Sequence, residues 1–537
     1  MKPAELVDAP VLVAGAGISG LAAAAALVEL GARVTVVDAN PAALADLPEG
    51  AVAGAGEDVP SGTRLVVTGP GRRPDHALVA AAATAGVPVV GEPELAWWIG
   101  AASGEPPTWL VVTGTNGKTT TTGMLEAILL AAGMDAVACG NIGYPVVDAV
   151  RAGRRVLAVE LSSFQLHWSP SVVPAAGCVL NVAEDHLDWH GSMAAYAAAK
   201  ARALRGPVAA AGVDDPAAAA LLAAAPAERK VGVTLGEPVP GRLGIVDGVL
   251  VDRAFAAAGA PRGSEVATPD VAKAAFGAFS APKAAFATSG RADADDGVEL
   301  ARVTDVHPGG PPGLTDALAA AALARAAGVA PRDVAAGLAG FRPGRHRADL
   351  VATVAGVRYV DDSKATNPHA AAASLAAQAP APVVWVVGGL LKGASVDELV
   401  AAHAGRLRAA VVIGTDRLTI LAALARHAPD VPVVEVEGRH DGRMIPARTP
   451  EPPGGVMAAA VRRAAALARP GDVVLLAPAA ASMDQFRDYA ERGRAFAAAV
   501  AGLGAAAGVR GEGCERSERT EDTALREAST ERSEGVR

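Results

Sequence analysis

The chain has 537 residues, enough for roughly three domains of about 150 residues each, and 51% of them are hydrophobic. Its net charge of −9 argues against nonspecific binding to nucleic acid or acidic membranes. Cys139, Cys178 and Cys514 are too few and too scattered for a disulfide framework or a cysteine metal site, so a reduced, cytoplasmic, soluble enzyme is expected.

No apolar run reaches membrane-span length without glycine or charge, so neither a leader nor membrane insertion is expected. Residues 11–13 read as a strand. Gly15-Ala16-Gly17-Ile18-Ser19-Gly20 and an Ala-rich helix follow, and a second strand at 34–37 ends at Asp38. This is a G-x-G-x-x-G fingerprint with an acid about 20 residues on. Taken alone it says dinucleotide binding, although such turns accept other phosphates. A strand at 65–68, the tight turn Gly69-Pro70-Gly71, a helix at 77–85 and a strand at 87–90 complete a Rossmann-like domain, residues 1–108. Its expected linker is 100–107.

The second domain, 109–341, opens on a buried strand at 109–112. Gly114-Thr115-Asn116-Gly117-Lys118-Thr119-Thr120 follows, with helical spacing behind it at 124–130. Strand, glycine turn, Lys-Thr and helix cradle a phosphate: backbone N–H groups converge on the anion, and the helix start adds its positive dipole end. Lys118 would reach the terminal phosphates, and Thr119 could ligate Mg²⁺. Val112 stands where the P-loop pattern has its first glycine, and the bland alternative is a Gly-rich turn with a surface lysine. A strand at 156–159 ends at Glu160, at the sheet edge where ions bind. A strand at 178–182 runs into Glu184-Asp185-His186-Leu187-Asp188, which makes His186 a candidate metal ligand or acid/base group.

The helix at 194–204 carries Lys200, which reads as a surface residue. Only eight of the 48 basic residues are Lys, and Lys118, Lys200, Lys364 and Lys392 fall in motif-like stretches. An amine can lose its proton and react; a guanidinium does so poorly. Short strands and loops are expected over 207–261, a flexible insertion over 262–297, and helices at 315–327 and 331–339.

Residues 340–347 read as a hinge into a third domain, 342–504. A hairpin at 351–354 and 357–360 leads to the polar run Asp361-Asp362-Ser363-Lys364-Ala365-Thr366-Asn367. A strand at 383–387 opens onto Gly388-Gly389-Leu390-Leu391-Lys392-Gly393. Later strands at 410–413, 433–436 and 473–476, with helices between, make a second Rossmann-like unit. Residues 505–537 are expected to be a disordered tail. The expected class is α/β in three domains: Rossmann-like, P-loop ATPase-like and Rossmann-like. That organisation points to an ATP enzyme working at domain interfaces.

Seven segments carry a resemblance: GTNGKTT (114–120), GNIGYP (140–145), ELSSFQL (160–166), NVAEDHLD (181–188), DDSKATN (361–367), GGLLKG (388–393) and AAASMDQFRDYAERG (479–493). Together, in this order, they resemble the Mur ligase family over about residues 9–500. ELSSFQL beside DSKATN is similar to the members that add D-glutamate to UDP-N-acetylmuramoyl-L-alanine. The resemblance implies ATP, two Mg²⁺ ions, an acyl phosphate, and a monomer acting on small molecules.

By the same resemblance, Thr119 and Glu160 match ligands of a first Mg²⁺, and His186 a ligand near a second. Lys200 falls at a carbamylated lysine, against the surface reading. Asn141 and His186 should approach the sugar-peptide substrate. Arg347 and Asp362 should meet the nucleotide, and Lys364 the transferred phosphate. Thr366, Lys392, Ser482 and Phe486 should form the D-glutamate site. Ile18, Ser19, Asp38 and the turn Gly69-Pro70-Gly71 should hold UDP rather than NAD. Two segments depart from the family pattern. Gly69 stands for a serine in Ser-Pro-Gly. In residues 312–320 the family's His-Asn pair is missing, and Asp316 replaces an amide. The alternatives are another Mur or folylpolyglutamate-type ligase, a nucleotide-binding regulatory protein without ligase activity, and an NAD-dependent oxidoreductase.

Overall fold

The computed structural model describes residues 2–56, 58–255, 297–436 and 455–506. The expected insertion, Gly297 apart, and the expected tail beyond residue 506 lie outside the described residues.

Runs of valine and alanine bounded by glycine build three sheets. The first holds β1 (Pro10–Ala14), β2 (Arg33–Val37), β3 (Val52–Ala53), β4 (Leu65–Thr68) and β5 (Val89–Gly91), all parallel, in the order β3-β2-β1-β4-β5. The chain reverses its winding between β1 and β4, which opens a ligand crevice at their carboxyl ends. The second sheet holds β6 (Thr108–Thr113), β7 (Ala136–Gly140), β8 (Val156–Glu160), β9 (Ala176–Val179), β10 (Val208–Gly212), β11 (Arg229–Val233), β12 (Arg242–Val246), β13 (Val249–Asp252) and β14 (Val298–Arg302). Its order is β14-β13-β12-β11-β10-β9-β6-β8-β7, so β6 lies between β9 and β8. The third holds β15 (Asp349–Val354), β16 (Val357–Asp361), β17 (Val383–Gly388), β18 (Leu407–Ile413), β19 (Val433–Glu435) and β20 (Val473–Leu476), ordered β15-β16-β20-β17-β18-β19. Only β15 runs antiparallel there.

The central core lies between the second sheet and the helices Lys118–Ala131, Gly310–Ala326 and Pro331–Gly340. Gly337 lets two of these helices touch: a Cβ there would sit 2.4 Å from the Ile128 Cα. The helix Gly310–Ala326 is apolar nearly all round because it is buried nearly all round. It begins before the expected residue 315 because Pro311 and Pro312 occupy the first turn, where no N–H is needed. The helix Glu92–Ala102 reaches into the expected linker, so Gly100 belongs to a helix, and the helix Pro216–Ala224 stands in the stretch expected to hold only short strands and loops.

The chain divides into two compact units, Met1–Pro343 and Gly344–Arg537, with the boundary inside the expected hinge. The first two sheets share one unit because they share a core. Ala22, Ala26 and Ala96 pack with Trp109, Val111, Leu157 and Val159 of the central sheet. Buried polar bonds bridge them too: Glu92 accepts from the Val147 N–H at 2.6 Å, and Glu94 from the Ser171 N–H at 3.0 Å. Among the described residues, no helix is long and apolar enough to cross a membrane.

Candidate active site

The phosphate loop follows β6 and starts the helix Lys118–Ala131. Gly117 has φ 84°, a left-handed conformation that a side chain would strain. Its neighbours pin the loop. Thr115 N–H donates to the Asn181 carbonyl (3.0 Å), and Asn116 N–H to Asn181 Oδ1 (2.9 Å). The Thr115 hydroxyl meets the Tyr196 hydroxyl at 3.0 Å. Lys118 Nζ turns back onto the loop, donating to the carbonyls of Gly114 (3.0 Å) and Thr115 (2.9 Å). The expected phosphate-binding residues Gly114, Thr115, Asn116 and Gly117 thus form a preshaped turn, and Lys118, Thr119 and Thr120 the first turn of the helix after it.

Lys200 is not a surface residue. It is 1% exposed, and its Nζ donates to the same Gly114 carbonyl at 2.7 Å. Burial drives its pKa well down, the nearby Lys118 charge pushes the same way, and Asp185 and Glu160 oppose. The Tyr196 ring lies 4.5 Å from Nζ. Glu160, also 1% exposed, ends β8 beside the loop. Its Oε1 accepts from Asn141 Nδ2 at 2.9 Å, while its Oε2 is buried with no hydrogen-bond partner. An orphaned carboxylate oxygen is costly unless a cation meets it, so the residue fits a Mg²⁺ ligand. His186 sits in left-handed backbone geometry, 3.4 Å from the Asp185 carboxylate and edge-on to Phe164. No group of three or more His, Cys, Asp or Glu side chains forms a metal cage among the described residues.

In the first sheet, the turns after β1 and β4 meet at the crevice: a Cβ on Gly15 would lie 3.9 Å from the Gly69 Cα. Asp38 braces this edge, accepting from the N–H groups of Ala16 (2.7 Å) and Asn40 (2.8 Å). Those bonds, with the charge of Arg72, hold its carboxyl below the usual range. Ile18 is exposed and Ser19 half-buried at the helix start above. The turn Gly69-Pro70-Gly71 is tied to the central sheet. Trp189 Nε1 donates to the Gly71 carbonyl (3.1 Å), Trp168 Nε1 to the Arg72 carbonyl (3.3 Å), and Arg73 Nη1 to the Asp188 carbonyl (2.6 Å).

In the second unit, the loops after β16, β17 and β20 gather at one sheet edge. Leu390 and Ala481 exchange backbone hydrogen bonds of 2.9 Å, joining the Lys392 loop to the Ser482 loop. Ala479 N–H reaches the Ala365 carbonyl at 3.0 Å, adding the loop of Asp362, Lys364 and Thr366. Lys392 is exposed in left-handed geometry, Ser482 is buried and Phe486 half-buried. Burial pushes the Asp362 carboxyl up to about 6, against the hydrogen bond from the Ala348 N–H (3.3 Å) and the charge of Arg347. His346 Nδ1 and Asp361 Oδ2 pair at 2.6 Å beneath this loop.

Family models match three segments: the Mur ligase middle domain at residues 112–237, the Mur ligase glutamate ligase domain at 346–480, and the alanine dehydrogenase/PNT C-terminal domain at 4–55. A UDP-N-acetylmuramoylalanine–D-glutamate ligase of Nocardia farcinica is 53% identical, over 92% of this chain and 96% of its own. The chain belongs to the Mur ligase family. A ligase of the same name from Mycolicibacterium smegmatis is 52% identical over the same shares. The solved UDP-N-acetylmuramate-alanine ligase of Thermotoga maritima covers 92% of this Mur ligase and 99% of its own chain, with TM-score 0.53 and 16% identity. That likeness concerns the fold alone.

Sequence reasoning missed several supports of this Mur ligase site. Asn181 and Tyr196 shape the phosphate loop, Trp189 and Arg73 tie the first sheet to the acidic loop, and Arg492 holds Ser363. Asn181 belongs to the NVAEDHLD motif, but its partner Asn116 is 65 residues away. The one legible signal was composition: tryptophan and histidine crowd residues 167–190 of a chain only 3% aromatic.

Proposed function

We infer that this chain uses ATP to join D-glutamate to UDP-N-acetylmuramoyl-L-alanine, a cytoplasmic step of peptidoglycan precursor synthesis. One observation carries the reading. A preshaped phosphate loop meets a buried lysine and an unpartnered carboxylate oxygen, in a chain 53% identical to a ligase of that name.

A carboxylate resists attack by an amine. In the first step an oxygen of the L-alanine carboxylate attacks the γ-phosphorus, giving an acyl phosphate and ADP. The D-glutamate amine then attacks the acyl carbon. A C–N bond forms, the C–O bond to phosphate breaks, the amine gives up its proton, and inorganic phosphate leaves. Lys118 offsets charge on the transferring phosphoryl group, and the rest is largely positioning. Thr119, Glu160, His186 and a carbamylated Lys200 would hold Mg²⁺, two ions in all. Bound there, Mg²⁺ supplies Lewis-acid neutralisation of the developing charge. Lys200 suits carbamylation because its depressed pKa favours the neutral amine that attacks CO₂, and loss of a proton then yields a carboxylate-like ligand.

Ile18, Ser19, Asp38 and the turn Gly69-Pro70-Gly71 serve the UDP group, and Asn141 and His186 the sugar-peptide. Arg347 and Asp362 serve the nucleotide, and Lys364 the transferred phosphate. Thr366, Lys392, Ser482 and Phe486 serve D-glutamate, with Lys392 opposing a carboxylate. Phosphate release from ATP tests the function. It should require both UDP-N-acetylmuramoyl-L-alanine and D-glutamate; equal turnover with L-glutamate, or release without an amide product, would overturn the reading.

A further inference from the structure

Lys364 is held by the start of the helix Tyr489–Ala506. Its Nζ stands over the Tyr489 ring, 3.8 Å from the centroid. Its backbone is pinned on both sides: its N–H donates to the His346 carbonyl (3.3 Å), and its carbonyl accepts from Thr366 N–H (2.8 Å). The preceding residue, Ser363, is buried and bound to the same helix. Its hydroxyl donates to the Tyr489 carbonyl at 2.7 Å. Arg492, wholly buried, closes the arrangement. Its Nε donates to Ser363 Oγ (2.9 Å), Nη2 to the Ser363 carbonyl (2.9 Å) and Nη1 to the Ala480 carbonyl (3.0 Å). One planar fork thus ties the Lys364 loop to the loop that leads into Ser482.

We propose that Tyr489 is a positioning residue for Lys364, its ring face seating the ammonium while Arg492 fixes the loop beneath. This rests on the reading of Lys364 as the residue near the transferred phosphate. A flexible four-carbon stem loses much freedom when it must point at one place. A carboxylate partner would restrain the ammonium but cancel the charge that the phosphate needs. A ring face restrains it without neutralising it. The Tyr489 hydroxyl is not required for this, so phenylalanine should serve and an aliphatic residue should not.

Steady-state kinetics of the full chain test the proposal. Tyr489→Leu should lower kcat roughly tenfold with little change in KM for ATP, whereas Tyr489→Phe should stay within about twofold of wild type. In a Lys364→Met background, Tyr489→Leu should cost nothing further. Equal effects of Leu and Phe, or an undiminished Leu effect in that background, would overturn it. If Lys364→Met remained fully active, the reading of Lys364 itself would fail. If Lys364→Met were inactive and Tyr489→Leu normal, only the Tyr489 proposal would fail. A measurement on the unsubstituted side chains removes dependence on folding of the variants. After reductive ¹³C-methylation of the lysines, the signal lost in Lys364→Arg should be displaced upfield by the ring. A signal at the ordinary position would contradict the seat.

Discussion

At the residue scale, Lys200 carries the most chemistry per atom. Two amines, Lys118 and Lys200, converge on the one Gly114 carbonyl, and burial drives the pKa of Lys200 well down. Lys200→Ala should therefore lower activity about a hundredfold or more, as expected for loss of a metal ligand's contribution. Short carboxylic acids should restore part of it, and Lys200→Arg should stay inactive with or without them. Full activity of Lys200→Ala would remove the carbamate. Asp316 makes an opposite prediction. It is buried, with Oδ1 2.2 Å from where a Gly117 Cβ would stand. A carboxylate this close to a phosphate cradle repels phosphate, so Asp316→Asn should lower KM for ATP by about fivefold. Initial-rate measurements would check this, and a raised KM would mean that the carboxylate supports the loop instead. The burial of Lys200 was not legible in its helix, Met193–Ala201, where alanines flank it. The residue that receives its hydrogen bond lies 86 positions away.

At the scale of elements, the phosphate loop, the fingerprint turn and the strands beneath them were readable because glycine and valine report local backbone needs. The helix Glu92–Ala102 was not, because its acids and tryptophans make sense only against the central sheet. Glu94 accepts from Ser171, and Trp97 meets Trp109 edge-on with 5.3 Å between centroids. Within that joint, burial raises the Glu92 carboxyl to about 7. A folded-state pKa above the unfolded value means that the folded chain binds more protons between pH 4.5 and about 7. The stabilising contribution is full below that window and is lost as pH rises through 7. It amounts to at most about 3.5 kcal/mol, since each tenfold change in proton affinity is worth about 1.4 kcal/mol. Glu92→Gln should flatten this part of the Tm–pH curve, and melting at pH 5 and pH 8 would read it; an unchanged slope would contradict it. The tie between the first sheet and the acidic loop makes a kinetic prediction. Trp189→Phe keeps an aromatic ring but loses the bond to the Gly71 carbonyl. It should raise KM for the UDP-linked substrate about three- to tenfold, since a lost hydrogen bond is worth about 1 kcal/mol. KM for D-glutamate should not change, and equal shifts in both would argue for general loosening.

At the scale of the whole molecule, the α/β class and the three sheets follow from alternating strand and helix patterns in the chain. The grouping into two compact units does not, because it depends on alanines of the first sheet's helices packing onto the central sheet. An alanine-rich surface reads the same whether solvent or protein covers it. The resemblance to Mur ligases was legible because the motif-bearing loops stand in the family's order while the helices between them are nearly featureless. This Mur ligase is expected to activate a carboxylate by phosphorylation before forming the amide. UDP-N-acetylmuramoyl-L-alanine labelled with ¹⁸O in its carboxylate tests this most directly, with mass spectrometry of the phosphate released during ligation. Transfer of one ¹⁸O atom from substrate to phosphate per amide formed is the predicted result. Unlabelled phosphate alongside amide would contradict the account.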